Sequence, residues 1–337
     1  MAKEQKLLFR IENLTKHFPI KKSSIFQRET LAVRANENIT IDIYEGETLG
    51  LVGESGCGKS TLGRTLLRLY PVTSGHIWYY GNSPDGSNPI DLATASKEQL
   101  RPLRKDLQLI FQDPYSSLNP RMTVGQIISE GLMAHGIIDK NDEQSQEYIL
   151  KTMEDCGLAP YFVHRYPHQF SGGQRQRIGI ARSVAMKPKF IVADEPVSAL
   201  DVSIQSQIIN LMLDLKERDN LTYLFISHDL SVIKYISDRI GVMYLGSLVE
   251  LAATQDLFEH RMHPYTEALL SAIPTTDMRE RVEVKVLEGD IPSPIRPPSG
   301  CKFHTRCPYA QERCKVEDPQ LRELKPQHFV ACHFPLI

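Results

Sequence analysis

Apolar and polar positions change period several times along the chain, and the changes mark its elements. Leu7–Glu12 and Ile39–Tyr44 alternate as half-buried strands do, and Glu45-Gly46-Glu47 turns into the uninterrupted run Thr48–Val52, a buried strand. Residues 61–69 then carry apolar side chains at helical spacing. Thr73-Ser74-Gly75 turns into a strand over His76–Tyr80, and residues 81–88, rich in Gly, Ser, Pro and Asn, predict an exposed loop. A short β-type run, Leu107–Phe111, stops at Gln112-Asp113-Pro114.

Residues 121–187 differ. Val124–Ala134, Asp142–Cys156 and Gln174–Met186 all show helical spacing, as a helical insertion between two halves of an α/β core would. Strand patterns return at Lys189–Asp194 and Leu221–Ser227, separated by an amphipathic helix over Ile204–Leu215. Ile240–Glu250 predicts a hairpin turning at Gly246. Pro264 suits the first turn of a helix reaching Ala272 and stopped by Pro274. Residues 289–300 hold four prolines and predict an extended linker.

Composition narrows the class only a little. A chain of 337 residues with 41% hydrophobic and 24% charged positions suits about two soluble domains. The net charge of −2 gives no electrostatic reason to expect nucleic acid. No run approaches the roughly 18 apolar residues of a membrane span. The first ten residues lack a signal-peptide core, so a cytoplasmic protein is expected, touching membrane only through partners.

The strongest chemical signal is Gly53-Glu54-Ser55-Gly56-Cys57-Gly58-Lys59-Ser60, a G-x-x-x-x-G-K-[ST] phosphate loop between the predicted strand and helix. Its glycines let several N–H groups face one anion, and the helix start adds positive charge, with Ser55, Cys57 and Thr61 in the same cradle. Lys59 would reach the β- and γ-phosphates and Ser60 would sit on Mg²⁺. The competing reading is a glycine-rich turn that fits by chance. The right flanks argue against it.

Other strand ends add to this. Asp194 and Glu195 follow four apolar strand residues, a costly place for two carboxylates unless a cation or partner meets them. There Asp194 would hold Mg²⁺ through water, and Glu195 would polarise the attacking water as general base. Gln112 ends one strand and can bind Mg²⁺ or orient water, although a lone glutamine is usually a surface residue. His228 ends another and is read as a γ-phosphate contact. Phe18 could stack on an adenine, or could be an ordinary core residue. Ser171-Gly172-Gly173-Gln174 is a capped helix start and a second anion nest. One nucleotide cannot fill both nests of one subunit, so a head-to-tail dimer is expected.

In family order, these residues resemble the nucleotide-binding subunits of ABC transporters. Residues 53–60 are similar to Walker A, Gln112 to the Q-loop, Ser171–Gln174 to the signature and Phe190–Glu195 to Walker B. Ser198–Asp201 are similar to the D-loop and His228 to the switch histidine. The resemblance implies an α/β fold, a P-loop NTPase of ABC type: a RecA-like core with an antiparallel β subdomain and a helical subdomain over about 113–187, all within 1–260. It implies that Glu195, His228, Gln112 and Lys59 are catalytic, that Ser60, Gln112 and Asp194 hold Mg²⁺, and that ATP is also met by the signature residues and Asp201. Phe18 falls where the family's adenine-stacking aromatic lies, in a loop extended by residues 19–32.

Phe111–Arg121, Arg165–Gln174 and Arg261–Thr266 are similar to oligopeptide and dipeptide importers, above all to their second, F-type ATPase subunit. That similarity implies an ATP-hydrolysing subunit at the cytoplasmic face of the cell membrane. Its partners would be a different second ATPase subunit, two permease subunits and an extracytoplasmic peptide-binding protein. Import of another solute such as nickel, a non-transport ABC ATPase and an iron–sulfur redox protein are the alternatives.

Residues 261–337 form the expected C-terminal extension, with Cys301, Cys307, Cys314 and Cys332 crowded into it. A reducing compartment points from disulfides to metal. Zinc sites favour C-x₂₋₄-C pairs, which are missing, and Lys302, Arg306, Arg313 and Lys315 would offset an anionic cluster. A [4Fe–4S] cluster is the first reading, zinc the second and free thiols the third. The resemblance implies a cluster-binding segment in some members of the importer family.

Overall fold

The structure is a computed structural model that describes residues 6–20, 31–82, 86–139, 142–272, 287 and 289–336. The chain start, most of the 19–32 extension, the centre of the 81–88 loop and Pro274 lie outside these residues.

The chain opens with β1 (Leu7–Pro19), β2 (Ala32–Tyr44), β3 (Thr48–Val52), α1 (Lys59–Leu66), β4 (Ser74–Tyr79), β5 (Ile90–Asp91), α2 (Lys97–Leu103) and β6 (Leu107–Ile110). Three helices follow: α3 (Val124–Ala134), α4 (Glu143–Asp155) and α5 (Gly172–Val184). Then come β7 (Phe190–Asp194), α6 (Val202–Asp219), β8 (Thr222–Ile226), α7 (Leu230–Ile236), β9 (Arg239–Tyr244) and β10 (Ser247–Ala253). The chain finishes with α8 (Thr254–Glu259), α9 (Pro264–Ser271), α10 (Glu312–Val316), β11 (Arg322–Lys325) and β12 (His328–Val330).

Two sheets form. One is antiparallel, in the order β2-β1-β4-β5. The other runs β11-β12-β10-β9-β3-β8-β7-β6, and its five strands from β9 to β6 are parallel. The parallel strands are apolar throughout because both faces are covered. On β7, Phe190 and Val192 join the core shared with α1 and the antiparallel sheet, while Ile191 and Ala193 join the core beneath α3, α5 and α6. Each such buried aliphatic or aromatic side chain contributes about 1.5–3 kcal/mol, well above the few tenths that propensity supplies.

Most predicted elements appear within two residues of their expected ends. β1 and β2 are longer than expected, because their antiparallel ladder continues past Phe18, paired to Val33, as far as Pro19. Phe18 therefore closes a strand rather than sitting in a loop. Asp142, Ser171 and Asp201 cap α4, α5 and α6 by accepting hydrogen bonds from backbone N–H groups. The turn at Leu245-Gly246 uses two left-handed residues, as a two-residue hairpin requires.

The last strands were not anticipated. β12 pairs with β10, so the chain's end joins the same sheet as the phosphate loop strand. A buried network holds it there. Glu250, fully buried, accepts from the Met262 N–H (2.6 Å), the His263 N–H (3.0 Å) and His328 Nε2 (2.8 Å). His328 Nδ1 faces Asp256 at 2.7 Å. Both ring nitrogens meet carboxylates, so both carry protons. Burial pulls the His328 pKa down, but the bonds to Glu250 and Asp256 outweigh it and the net shift is upward.

Candidate functional site

The phosphate loop follows the fully buried β3, and its last two residues, Lys59 and Ser60, already open α1. Gly53, Gly56 and Gly58 have positive φ (147°, 78° and 105°), the backbone that curls the loop. Gly58 is also irreplaceable for space: a Cβ there would meet the Ala35 carbonyl oxygen, and Asn36 Nδ2 donates to the Gly58 carbonyl at 3.1 Å. Lys59, buried, donates to the carbonyls of Gly53 (2.7 Å) and Glu54 (3.1 Å), so it lies along the loop. Burial raises the Cys57 thiol pKa, and Lys59 beside it only partly offsets this.

Ser60 Oγ donates to Asp194 Oδ1 at 2.6 Å, which joins the loop to the end of β7. Asp194 is completely buried, and its second oxygen accepts from Arg64 at 3.1 Å. Arg64 was not foreseen. It lies four residues after Ser60, on the same face of α1.

Glu195 follows in a left-handed conformation (φ 48°), a strained backbone for a glutamate and of the kind that collects at working sites. Its Oε2 accepts from Gln112 Nε2 at 3.0 Å and meets His228 Nδ1 at 3.2 Å. The ends of three parallel strands thus bring Gln112, Glu195 and His228 to one point. Gln112 was expected also beside Ser60 and Asp194. Its amide N–H donates to the Glu195 carboxylate.

Phe18 is half-buried, edge-on to Tyr70 (5.3 Å between centroids), with Lys16 Nζ 4.5 Å from its ring centre. Ser171 is exposed and forms a capping box with Gln174. Gly173, in the first turn of α5, lies against Ile204, and Asp201 is exposed at the start of α6. The hydrogen bonds described for Ser171 and Gln174 stay within their capping box, leaving this nest on the surface.

Cys301, Cys307, Cys314 and Cys332 all line one small cavity, with Phe303, His263, His304 and His333 around it. Burial, with neighbouring thiols adding to it, pushes Cys301, Cys307 and Cys332 up to about 11. Among the described residues, no three His, Cys, Asp or Glu side chains are placed to hold a single metal ion.

Sequence reasoning also missed the contact between this segment and the phosphate loop. Arg306 Nη1 and Nη2 donate to the two Glu54 oxygens at 2.7 and 2.9 Å, and the Glu54 N–H donates to Tyr265 Oη at 2.8 Å. Nothing in the local pattern of residue 306 signals a partner 252 positions away.

Residues 36–198 match the ABC transporter family, and residues 249–314 match the oligopeptide/dipeptide transporter C-terminal region. The chain is 50% identical to the oligopeptide transport ATP-binding protein AppF of Bacillus subtilis, over 98% of each chain. It is 51% identical to a putative peptide import ATP-binding protein of Brucella ovis, over 96% of this chain and 97% of that one. The dimeric post-hydrolysis structure of the ATP-binding cassette MJ0796 with ADP and Pi superposes with a TM-score of 0.63 at 26% identity, covering 73% of this chain and 99% of that one. With its phosphate loop, its Asp194–Glu195 strand end and near full-length identity of this order, the chain belongs to the ABC transporter ATPase family, in the branch that carries the oligopeptide/dipeptide transporter C-terminal region.

Proposed function

We propose that the protein hydrolyses ATP to drive import of oligopeptides or dipeptides. The observation that carries the ATPase reading is the meeting of Gln112 and His228 on Glu195, one residue from the Asp194–Ser60 bond. Peptide cargo is supported by the names of the relatives and by the matched C-terminal region.

In this reading the N–H groups of residues 55–61 and Lys59 bind the phosphates, and Phe18 stacks on the adenine. The hard oxygens of Ser60 and Asp194, with the Gln112 amide oxygen as a third donor, would suit Mg²⁺, which when bound offsets phosphate charge. Glu195 takes the proton of the attacking water, Gln112 and His228 fix its carboxylate, and His228 reaches the γ-phosphate. Ser171 and Asp201, exposed, and Gly172–Gln174, half-buried, close over the nucleotide of a second, different ATPase subunit. The helices within 113–187 face two permease subunits, and a binding protein outside the membrane delivers the peptide. The ATP-binding unit then covers 1–260 and the extension 261–337, and the protein works at the cytoplasmic face of the membrane.

The four cysteines line one cavity, and we read them as ligands of a [4Fe–4S] cluster, with zinc as the alternative. A single zinc draws four sulfurs to about 2.3 Å from one centre, whereas a cuboidal cluster takes one thiolate per iron and spaces them wider. When bound, the cluster would supply a covalent tie between segments 301–314 and 332. Iron and sulfide analysis after anaerobic purification tests it: stoichiometric zinc without iron refutes it.

Glu195→Gln tests the ATPase reading. ATP should still bind while turnover falls by about 10²–10⁴, the usual weight of a general base. Turnover near wild type refutes the assignment. Co-purification with two membrane subunits and a second ATPase tests the transporter reading.

A further inference from the structure

The cysteine-bearing segment touches the phosphate loop through a built contact. Arg306, one residue before Cys307, has a side chain only 5% exposed and grips Glu54 with both terminal nitrogens at 2.7 and 2.9 Å. Glu54 is the second residue of the phosphate loop, and its own N–H is held by Tyr265 Oη. Tyr244, Tyr265 and Phe303 pack as an aromatic box, with centroids 4.8–5.3 Å apart, and the Arg306 guanidinium lies 5.9 Å from the Tyr244 ring centre. Phe303 and Arg306 both lie between Cys301 and Cys307. Lys302, in the same stretch, donates to the Leu245 carbonyl (3.0 Å) and Ser247 Oγ (2.7 Å) at the β9–β10 turn. That turn abuts the loop, since the Gly246 N–H donates to the Cys57 carbonyl at 2.9 Å.

Two physical consequences follow. A carboxylate in a phosphate-binding loop repels the polyanion the loop must bind, and a bidentate guanidinium cancels that charge at its source. The same fork, with the Tyr265 bond, fixes where the loop leaves β3, and so where its N–H groups point.

We propose that Arg306 is a positioning residue of the ATP site: it neutralises and orients Glu54, so that ATP affinity depends on the folded state of the cysteine segment around residues 301–307. The coupling is reciprocal, because any ligand whose binding depends on a segment's conformation stabilises that conformation in turn. ATP bound at the loop therefore tightens the cysteine segment, and anything that disorders the segment weakens ATP binding. The proposal rests on ATP binding at the loop, and its test separates the two.

Hydrogen exchange of the whole chain is measured with and without Mg-ATP. Protection is expected across residues 55–61 and also across 301–307. Protection in the loop with unchanged exchange in 301–307 overturns the coupling and leaves the ATPase reading standing. Lack of protection in the loop itself overturns the ATP reading as well. ATP affinity is then titrated in two variants. Arg306→Met, which keeps an apolar stem, should weaken binding by about tenfold, as an uncancelled charge at roughly 10 Å does at an intermediate effective dielectric constant. Adding Glu54→Gln to Arg306→Met should restore most of that loss, because the repelling charge is gone. Wild-type affinity in Arg306→Met, or a double variant no better than the single one, refutes the role given to Arg306. The exchange measurement needs no variant, so it decides the coupling even if Arg306→Met fails to fold.

Discussion

Replacing Gly58 with alanine should weaken ATP binding severely while leaving the fold in place, and replacing Gly56 should not. Both glycines have φ in the left-handed region, so each alanine carries about 1–2 kcal/mol of backbone strain. That strain is present with or without nucleotide, so by itself it lowers loop stability more than affinity. The two sites differ in space. A Cβ on Gly56 meets nothing within 4 Å, whereas one on Gly58 runs into the Ala35 carbonyl and the Asn36 amide on β2. β2 is held by a long ladder to β1, so the phosphate loop is the part that yields. To restore ordinary contact the loop must shift by about 1 Å, a displacement that costs on the order of 10²-fold at a tuned site. Equilibrium titration with ATP should give affinity reduced at least about 10²-fold for Gly58→Ala and within a few-fold of wild type for Gly56→Ala. Circular dichroism should show native secondary structure in both. Similar affinities for the two variants would refute the argument from β2 and leave backbone strain as the only cost.

Two further outcomes are expected. Phe18→Ala should weaken ATP binding by about 1–3 kcal/mol, the worth of one aromatic–base stack, and leave tripolyphosphate binding unchanged; equal losses for both ligands would place Phe18 in the fold rather than at the base. His328 has a raised folded pKa, so its stabilising charge is fully present below the ordinary histidine value of about 6.5 and fades as pH rises through the folded pKa. Thermal melts of His328→Gln should therefore show a Tm deficit that is largest near pH 6 and shrinks towards pH 9. His263, whose pKa burial lowers to about 4, acts oppositely, costing stability as pH falls below about 6.5, but it does so in both proteins and cancels from the difference. A deficit that does not change with pH would sink the imidazolium assignment.

Features encoded within ten residues were legible, and those made across the chain were not. The phosphate loop, the Ser171 cap and the Asp194–Glu195 strand end are each local patterns with a local mechanism. β11 was invisible because all four of its residues are exposed and only Leu324 is apolar, so no alternation marks a buried face. α2 carries Pro102 inside it and is so short that capping by Ser96, not periodicity, defines it. Arg64 could have been suspected from its helical register with Ser60. Arg306, Tyr265 and the Glu250–His328 pair depend on partners 78–252 residues away. Their side-chain types alone read as surface charge or core aromatic. Phe18 was placed in a loop because the 13-residue length of β1 comes from its ladder to β2, which breaks register several times, and not from a clean alternation.

The pairing of β12 with β10 sets a limit on dissecting this protein. A fragment ended at residue 260 would keep every nucleotide-binding motif, yet it would strip β10 of its outer neighbour and bare the backbone of Val249–Leu251 along a mostly apolar strand edge. Such a bare edge is a template for intermolecular strand addition. The shortened protein should therefore self-associate on expression, and the residues after 320 act as a built-in guard against that fate.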